Sequence, residues 1–144
     1  MSQRQTQGLG GLGNLKSTAD LSGQVTDVTN GNPIGSTYKN GAGLFVIYGA
    51  AGYFALAGAN ARCIGVLDNT PKAGQAGNIQ SVRGTTAKVL SGGIIAVGAL
   101  LQTDAYGRVA TAASSAQVIV AQALEAATAA GQLIEVVLMD SYVA

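Results

Sequence analysis

The sequence of 144 residues contains no histidine and only one cysteine, Cys63. Without histidine, the chain lacks the commonest general base and the commonest transition-metal ligand, and it can build no Ser-His or Cys-His nucleophile. A single thiol also excludes an internal disulfide and any metal site made of several cysteines. We therefore expect neither a metal nor another cofactor, and we interpret Cys63 as a small apolar group in a strand.

Charged residues make up only 10% of the chain, whereas an ordinary soluble protein has roughly 25%. The net charge is +1, and the basic residues are spread along the sequence without a cluster. Because a nucleic-acid binder normally carries a basic patch or stripe, we expect no nucleic-acid partner. So little charge is instead typical of a protein that covers much of its surface with protein partners.

The acidic residues of the chain do not indicate an active site. An enzyme without histidine would need a pair of carboxylates at a suitable separation. The candidates have no recognisable spacing, and we interpret each as an ordinary loop or strand-end carboxylate: Asp68, Asp104, Glu125, Glu135 and Asp140. The sequence therefore predicts a protein that is not an enzyme.

The N-terminal stretch QGLGGLGNL contains the pattern G-x-G-x-x-G at Gly8, Gly10 and Gly13. In a dinucleotide-binding loop this pattern follows a β-strand and opens a helix. Here only the polar MSQRQTQ precedes it, and no apolar helical stripe follows. We therefore interpret residues 1–40 as an extended glycine-rich arm, and residues 41–144 as a β-rich domain.

The arm carries a few apolar side chains, which are too sparse to form a core of their own. We expect them to act as anchors that fit shallow pockets of a partner or of a neighbouring subunit. The anchors that we assign to this interface are Leu9, Leu12 and Leu15.

Residues 41–59 carry no charge, and their length would permit a membrane span of about 20 residues. Their glycines and a central GAAG turn instead favour two strands, LFVIY and YFALA, joined at residues 49–52. We therefore expect no membrane partner. The aromatic residues of this hairpin can pack in the core or contact a neighbouring subunit, and we predict that some of them do the latter. They are Phe45, Tyr48, Tyr53 and Phe54.

From residue 41 onward, short apolar runs alternate with glycine turns, which predicts a small all-β barrel or sandwich domain. RCIGVLD, TTAKVLSGG and QLIEVVLMD each predict a strand, and TDAYGRV predicts a hairpin turn at residues 104–107. NIQSVRG, residues 78–84, predicts a polar strand at an edge or an interface. IIAVGALLQ, residues 94–102, is apolar on both faces and predicts a central strand.

Residues 113–125 allow two structures. An alanine-rich helix would place Val120, Ala123 and Leu124 on one side. The Val-Ile-Val run within QVIVAQALE favours a strand instead. The residue pattern leaves both open, so we expect at most one short helix in the domain.

Three segments in order, GVLDNTPKAGQAGNIQSVRGTTAKVLSGG, IIAVGALLQTDAYGRV and ALEAATAAGQLIEVVL, resemble the small capsid decoration, or cement, proteins of tailed bacteriophages. The order and spacing of these segments carry the resemblance, which covers roughly residues 62–139. The resemblance implies a β-rich domain of the barrel or tulip kind. It also favours the strand at residues 117–125.

The resemblance further implies a structural protein of the virion, made in the cytoplasm of the bacterial host. Such a protein binds the outer surface of the capsid and cements neighbouring major capsid proteins against the pressure of packaged DNA. Its expected partners are the major capsid protein and itself, as a homotrimer. The alternative is a minor fibre or surface adhesin domain of a phage particle.

Overall fold

The computed structural model describes residues 21–24, 42–49, 52–70, 74–113 and 116–143. These residues form two five-stranded antiparallel sheets and contain no helix, which confirms the prediction of an all-β domain. The strands are β1 (Leu21–Gln24), β2 (Phe45–Tyr48), β3 (Phe54–Leu56), β4 (Gly65–Leu67), β5 (Ala76–Gln80), β6 (Thr86–Leu90), β7 (Leu100–Thr103), β8 (Val109–Thr111), β9 (Val118–Ala123) and β10 (Leu133–Val143).

The first sheet has the strand order β1-β5-β4-β2-β3, and the second has the order β6-β10-β9-β7-β8. In the second sheet, an isolated parallel bridge between Ser91 and Val109 brings the end of β6 beside β8. The Gly92 N–H donates to the Val109 carbonyl at 2.7 Å. The second sheet therefore curls into a half-barrel.

The main core is built mostly from residues of the half-barrel, and Phe45 and Val66 of the first sheet pack into it. Successive residues of a strand point to opposite faces of a sheet. Strand β10 follows this alternation, with Ile134, Val136 and Leu138 buried between more exposed neighbours. Strand β6 likewise buries Ala87 and Val89. A smaller apolar cluster consists of Val46, Phe54, Leu67 and Ile79.

The loop that follows β3 joins the first sheet to the half-barrel. The buried Thr103 hydroxyl donates to the Gly58 carbonyl at 2.7 Å and accepts from the Ala61 N–H at 3.0 Å. The Asn60 N–H donates to the Thr103 carbonyl at 2.9 Å, and Asn60 Oδ1 accepts from the Val118 N–H at 2.6 Å. These bonds hold the two sheets in a fixed relation, so surfaces on both sheets keep their relative positions.

Strand β9 decides between helix and strand for residues 113–125. Val118–Ala123 is extended and pairs with both β7 and β10, because its β-branched residues suit a pleated, buried surface. In residues 41–59, β2 and β3 form the predicted hairpin. No helix within the described ranges is long and apolar enough to cross a membrane.

The prediction of a central strand over residues 94–102 is wrong for residues 94–99. Strand β7 begins only at Leu100, and the preceding residues form a turn in which the Ala99 N–H donates to the Ala96 carbonyl at 3.2 Å. Gly98 has a φ of +85°, a conformation that glycine adopts readily and that ends the extended run. Residues 94–99 therefore belong to the loop between β6 and β7.

The polar strand predicted over residues 78–84 is shifted, and it does not lie at an edge. Strand β5 lies between β1 and β4 in the first sheet. The chain leaves the sheet before Arg83, whose guanidinium donates to backbone carbonyls that include those of Cys63 and Ile64. Arg83 is therefore not part of strand β5, and its side chain binds backbone carbonyls instead.

Part of the segment interpreted as an arm, residues 1–40, belongs to the first sheet. Residues 21–24 form β1 and pair with β5, with Leu21 opposite Ile79 and Gln24 opposite Ala76. The anchor residues Leu9, Leu12 and Leu15 lie outside the described residues.

Candidate interaction surfaces

The hairpin of β2 and β3 carries the four aromatic residues that the sequence assigns to an interface. Phe45 is buried in the main core, and Phe54 is buried in the smaller cluster. Tyr48 is 64% exposed, and Tyr53 is half-buried. Tyr48 and Tyr53 therefore offer surface to a partner, whereas Phe45 and Phe54 support the hairpin from inside the chain.

The hairpin holds Tyr48 in place. The centroid of the Tyr48 ring lies 5.3 Å from that of Phe54, with an interplanar angle of 45°. The Gly49 N–H donates to the Tyr53 carbonyl at 2.7 Å, which closes the turn. A tyrosine held in this way loses little conformational freedom when a partner covers it.

A second exposed apolar surface lies on the loops that flank β7 and β9. Ile94 is 78% exposed and Val97 is 65% exposed. Leu100 and Leu124 are exposed as well. We call these four residues the Ile94 patch.

The two loops that carry the Ile94 patch are hydrogen-bonded to each other. The Gly98 N–H donates to the Ala123 carbonyl at 2.8 Å, and the Ala123 N–H donates to the Ala99 carbonyl at 2.9 Å. Ile95 and Ala127 exchange two backbone hydrogen bonds, both of 2.9 Å. Because these bonds hold the two loops side by side, the exposed side chains of the patch stand on adjacent segments of the backbone.

Glu125 borders the Ile94 patch, and its charge is already engaged. Its Oε1 accepts from Lys88 Nζ at 2.9 Å and from the Glu135 N–H at 2.7 Å. The hydrogen bond from Lys88, followed by that from Glu135, holds the pKa of the Glu125 carboxyl below its ordinary value of 4.5. At neutral pH the border of the patch therefore carries an ion pair instead of a free charge.

The described residues include one cysteine and several acidic side chains. These residues contain no group of three or more His, Cys, Asp and Glu that could hold a metal ion. Burial raises the pKa of the Cys63 thiol to about 12, although a hydrogen bond with Thr103 and the charge of Arg83 act in the opposite direction. The thiol is therefore protonated at neutral pH, and a protonated thiol is a poor nucleophile.

The sequence does not predict the Ile94 patch, because a run that is apolar on both faces indicates a buried strand. The signal that could reveal it is the glycines around the run: Gly92 and Gly93 precede it, and Gly98 interrupts it. Glycine within an apolar run marks a turn or a bulge. Given that signal, the residues before Gly98 would be assigned to an exposed loop.

A family model described as phage cement protein matches residues 21–138 of the chain. The match begins with β1 and ends within β10, so it includes strands of both sheets. It extends further towards the N-terminus than the segments that carry the resemblance in the sequence.

Among solved structures, the chain is similar to the crystal structure of the head fiber gp8.5 N base in bacteriophage phi29. The TM-score is 0.62 and the sequence identity is 19%. The similarity covers 84% of this chain and 95% of the other, and at this identity it supports the fold alone. No curated protein matches the sequence.

Proposed function

We propose that this chain acts on the outer surface of the phage capsid. It belongs to the phage cement protein family, and it is a structural protein that stabilises the capsid. There it holds neighbouring major capsid proteins together. The observation that carries the proposal is the family match over residues 21–138. The proposal includes assembly of the protein as a homotrimer and its synthesis in the cytoplasm of the bacterial host.

The surface of the chain supports a function in adhesion. Tyr48 and the Ile94 patch expose aromatic and aliphatic area on a chain with only 10% charged residues. Burial of apolar area stabilises a contact by about 25 cal/mol per Å². Symmetry repeats each contact over the shell, so many modest contacts together give firm attachment.

The predicted interface residues take three roles in this proposal. Tyr48 and Tyr53 contact the major capsid protein, and Phe45 and Phe54 fix the hairpin that carries them. The leucines of the N-terminal segment anchor the chain to a neighbouring subunit. They are Leu9, Leu12 and Leu15.

The proposal assigns no catalytic role to the chain. Three carboxylates of the described part are engaged in salt bridges with a lysine or an arginine. The thiol of Cys63 has a pKa of about 12. In this proposal the engaged carboxylates and the protonated thiol take no part in a reaction as a general base or a nucleophile.

Binding of the full-length protein to purified heads that lack it tests the proposed function. We expect binding to saturate at a copy number fixed by the symmetry of the shell. We expect Tyr48→Ser to weaken this binding by about tenfold or more, because truncation of an interface tyrosine removes a large buried contact. Bound copies per head, counted by quantitative gel analysis of sedimented particles, measure both effects.

The matched control is Tyr142→Ser, which removes another exposed tyrosine from a different strand. We expect this variant to bind as the unchanged protein does. Equal binding by both variants would contradict the role of Tyr48. A complete lack of saturable binding by the unchanged protein would contradict the proposed function itself.

A minor fibre or surface adhesin domain is the second candidate function. The fold favours it, because the similar structure from bacteriophage phi29 is the base of a head fiber. Such a domain would expose a loop that binds a sugar or a receptor. Binding of the isolated protein to a glycan array, without binding to heads, would favour this candidate over the first.

A further inference from the structure

We propose that the Ile94 patch of one copy is the docking site for residues 9–15 of a neighbouring copy. The inference rests on the proposed function, since it names the partner of a surface that a cement protein would use in its assembly. Each copy then offers an arm to one neighbour and receives an arm from another.

The chemistry of the Ile94 patch suits an uncharged aliphatic ligand. Its four side chains are aliphatic, and the turn at Gly98 holds Val97 at the tip of its loop. Glu125 at the border is paired with Lys88 at 2.9 Å. Because these two charges already neutralise each other, the pair offers little attraction to a charged partner. An apolar partner would instead gain stability by removing the exposed aliphatic surface from water.

The N-terminal segment supplies the matching chemistry. Residues 5–15, QTQGLGGLGNL, carry no charge, and their leucines stand at positions 9, 12 and 15. An extended polyproline II segment has about three residues per turn, so in this conformation the three leucines would lie on one side. The glycines between them have no side chain to keep the backbone away from the patch.

The connectivity of the chain ties the leucines to one edge of the first sheet. Leu15 precedes Leu21, the first residue of β1, by a segment that spans about 20 Å when extended. Strand β1 lies at the outer edge of the first sheet, whereas the Ile94 patch lies on the half-barrel.

Arm and patch are therefore different surfaces of the same chain, and the contact between them is heterologous. A heterologous contact links copies head to tail, and it closes into a ring when the rotation between copies fits. This geometry is compatible with a homotrimer, and it does not require two equivalent patches to face each other.

Two cysteine variants of the full-length protein test the contact. Copies with Leu12→Cys are mixed with copies with Val97→Cys under mild oxidation, and the disulfide-linked dimer is measured on a non-reducing gel. We expect this dimer to form at least about tenfold faster than the dimer of Leu12→Cys with Val82→Cys, because docking raises the local thiol concentration. Val82 is an exposed valine outside the patch. The native Cys63 competes little, since it is buried and its pKa is about 12.

The charge variant Val97→Asp separates this inference from the proposed function. We expect Val97→Asp to dissociate the oligomer in solution while single copies still bind to heads, and we expect the matched control Val82→Asp to change neither property. Equal rates of cross-linking at positions 97 and 82 would overturn the inference.

Loss of head binding by Val97→Asp, together with absence of the cross-link, would mean that the patch contacts the capsid. That result would overturn the inference and leave the proposed function standing. If the unchanged protein does not bind heads at all, the proposed function fails, and the cross-link still decides whether copies exchange their arms.

Discussion

Substitution of Gly65 by alanine is expected to destabilise the fold by about 3 kcal/mol or more, because a side chain at this position overlaps the backbone of the neighbouring strand. A Cβ on Gly65 would collide with the Gln80 carbonyl oxygen and would lie 2.8 Å from Ile79 Cγ2. Strand β4 is paired on both sides, with Gly65 opposite Val46 on β2, so it cannot move away from β5 without losing pairs. The loss is a large share of the roughly 5–15 kcal/mol that stabilises a typical domain.

The measurement is the free energy of unfolding from urea titration of the isolated protein. Gly93→Ala is the matched control, since a Cβ at Gly93 has no heavy atom within 4 Å and its backbone is outside the left-handed region. We expect the control to change stability by less than about 0.5 kcal/mol. Equal stability of the two variants would mean that β4 and β5 do not approach as closely as the structure has them.

Substitution of Asp104 by alanine is expected to cost about 3 kcal/mol, because its carboxylate holds the hairpin of β7 and β8 together. Oδ1 accepts from the N–H groups of Tyr106 at 2.8 Å and Arg108 at 3.0 Å, and Oδ2 accepts from Arg108 Nε at 2.8 Å. The side chains of Asp104 and Arg108 are only 19% and 15% exposed. Removal of the carboxylate would therefore leave a largely buried guanidinium without its ion-pair partner.

The same hairpin closes the half-barrel, so the effect of Asp104→Ala extends beyond the turn. A Cβ on Gly92 would collide with Asp104 Oδ2, which means that the carboxylate packs directly on the end of β6. The Gly92 N–H bonds to Val109 at the same point. We therefore expect faster amide hydrogen exchange at Gly92 as well as in the hairpin.

Asp140→Ala is the matched control for this prediction. Asp140 forms a salt bridge with Arg83 at 3.3 Å, but its side chain is 89% exposed. An ion pair of this kind contributes about 0–1 kcal/mol. Arg83 also keeps its bonds to backbone carbonyls in this variant. Similar losses in the two variants would contradict the role assigned to Asp104.

The elements that the sequence predicts correctly are those with a local signal. The hairpin of β2 and β3 has a glycine turn between two apolar runs, and the β6 strand alternates apolar and polar residues. Each of these patterns lies within a few residues, so it can be interpreted without knowledge of the rest of the chain.

The features that the sequence does not predict depend on contacts between distant residues. Residues 94–99 are apolar enough for a core strand, yet the turn at Gly98 and the bonds to residues 123–127 keep them in a loop. The pairing of β1 with β5 joins residues more than fifty positions apart, and the sequence of residues 21–24 has no pattern that predicts it. For the candidate interface, the sequence identifies the hairpin as rich in aromatic residues. Which of them are exposed depends on packing in the folded chain, where Tyr48 is exposed and Phe45 and Phe54 are buried.

The most direct test of the central claim is the temperature at which DNA-filled heads release their DNA, with and without this protein. Heads that lack the protein are compared with the same heads after saturation with the full-length chain. We expect release at a higher temperature when the protein is bound, because it holds neighbouring capsid subunits together against internal pressure. Release at the same temperature, with the shell fully occupied, would contradict the claim that this chain stabilises the capsid.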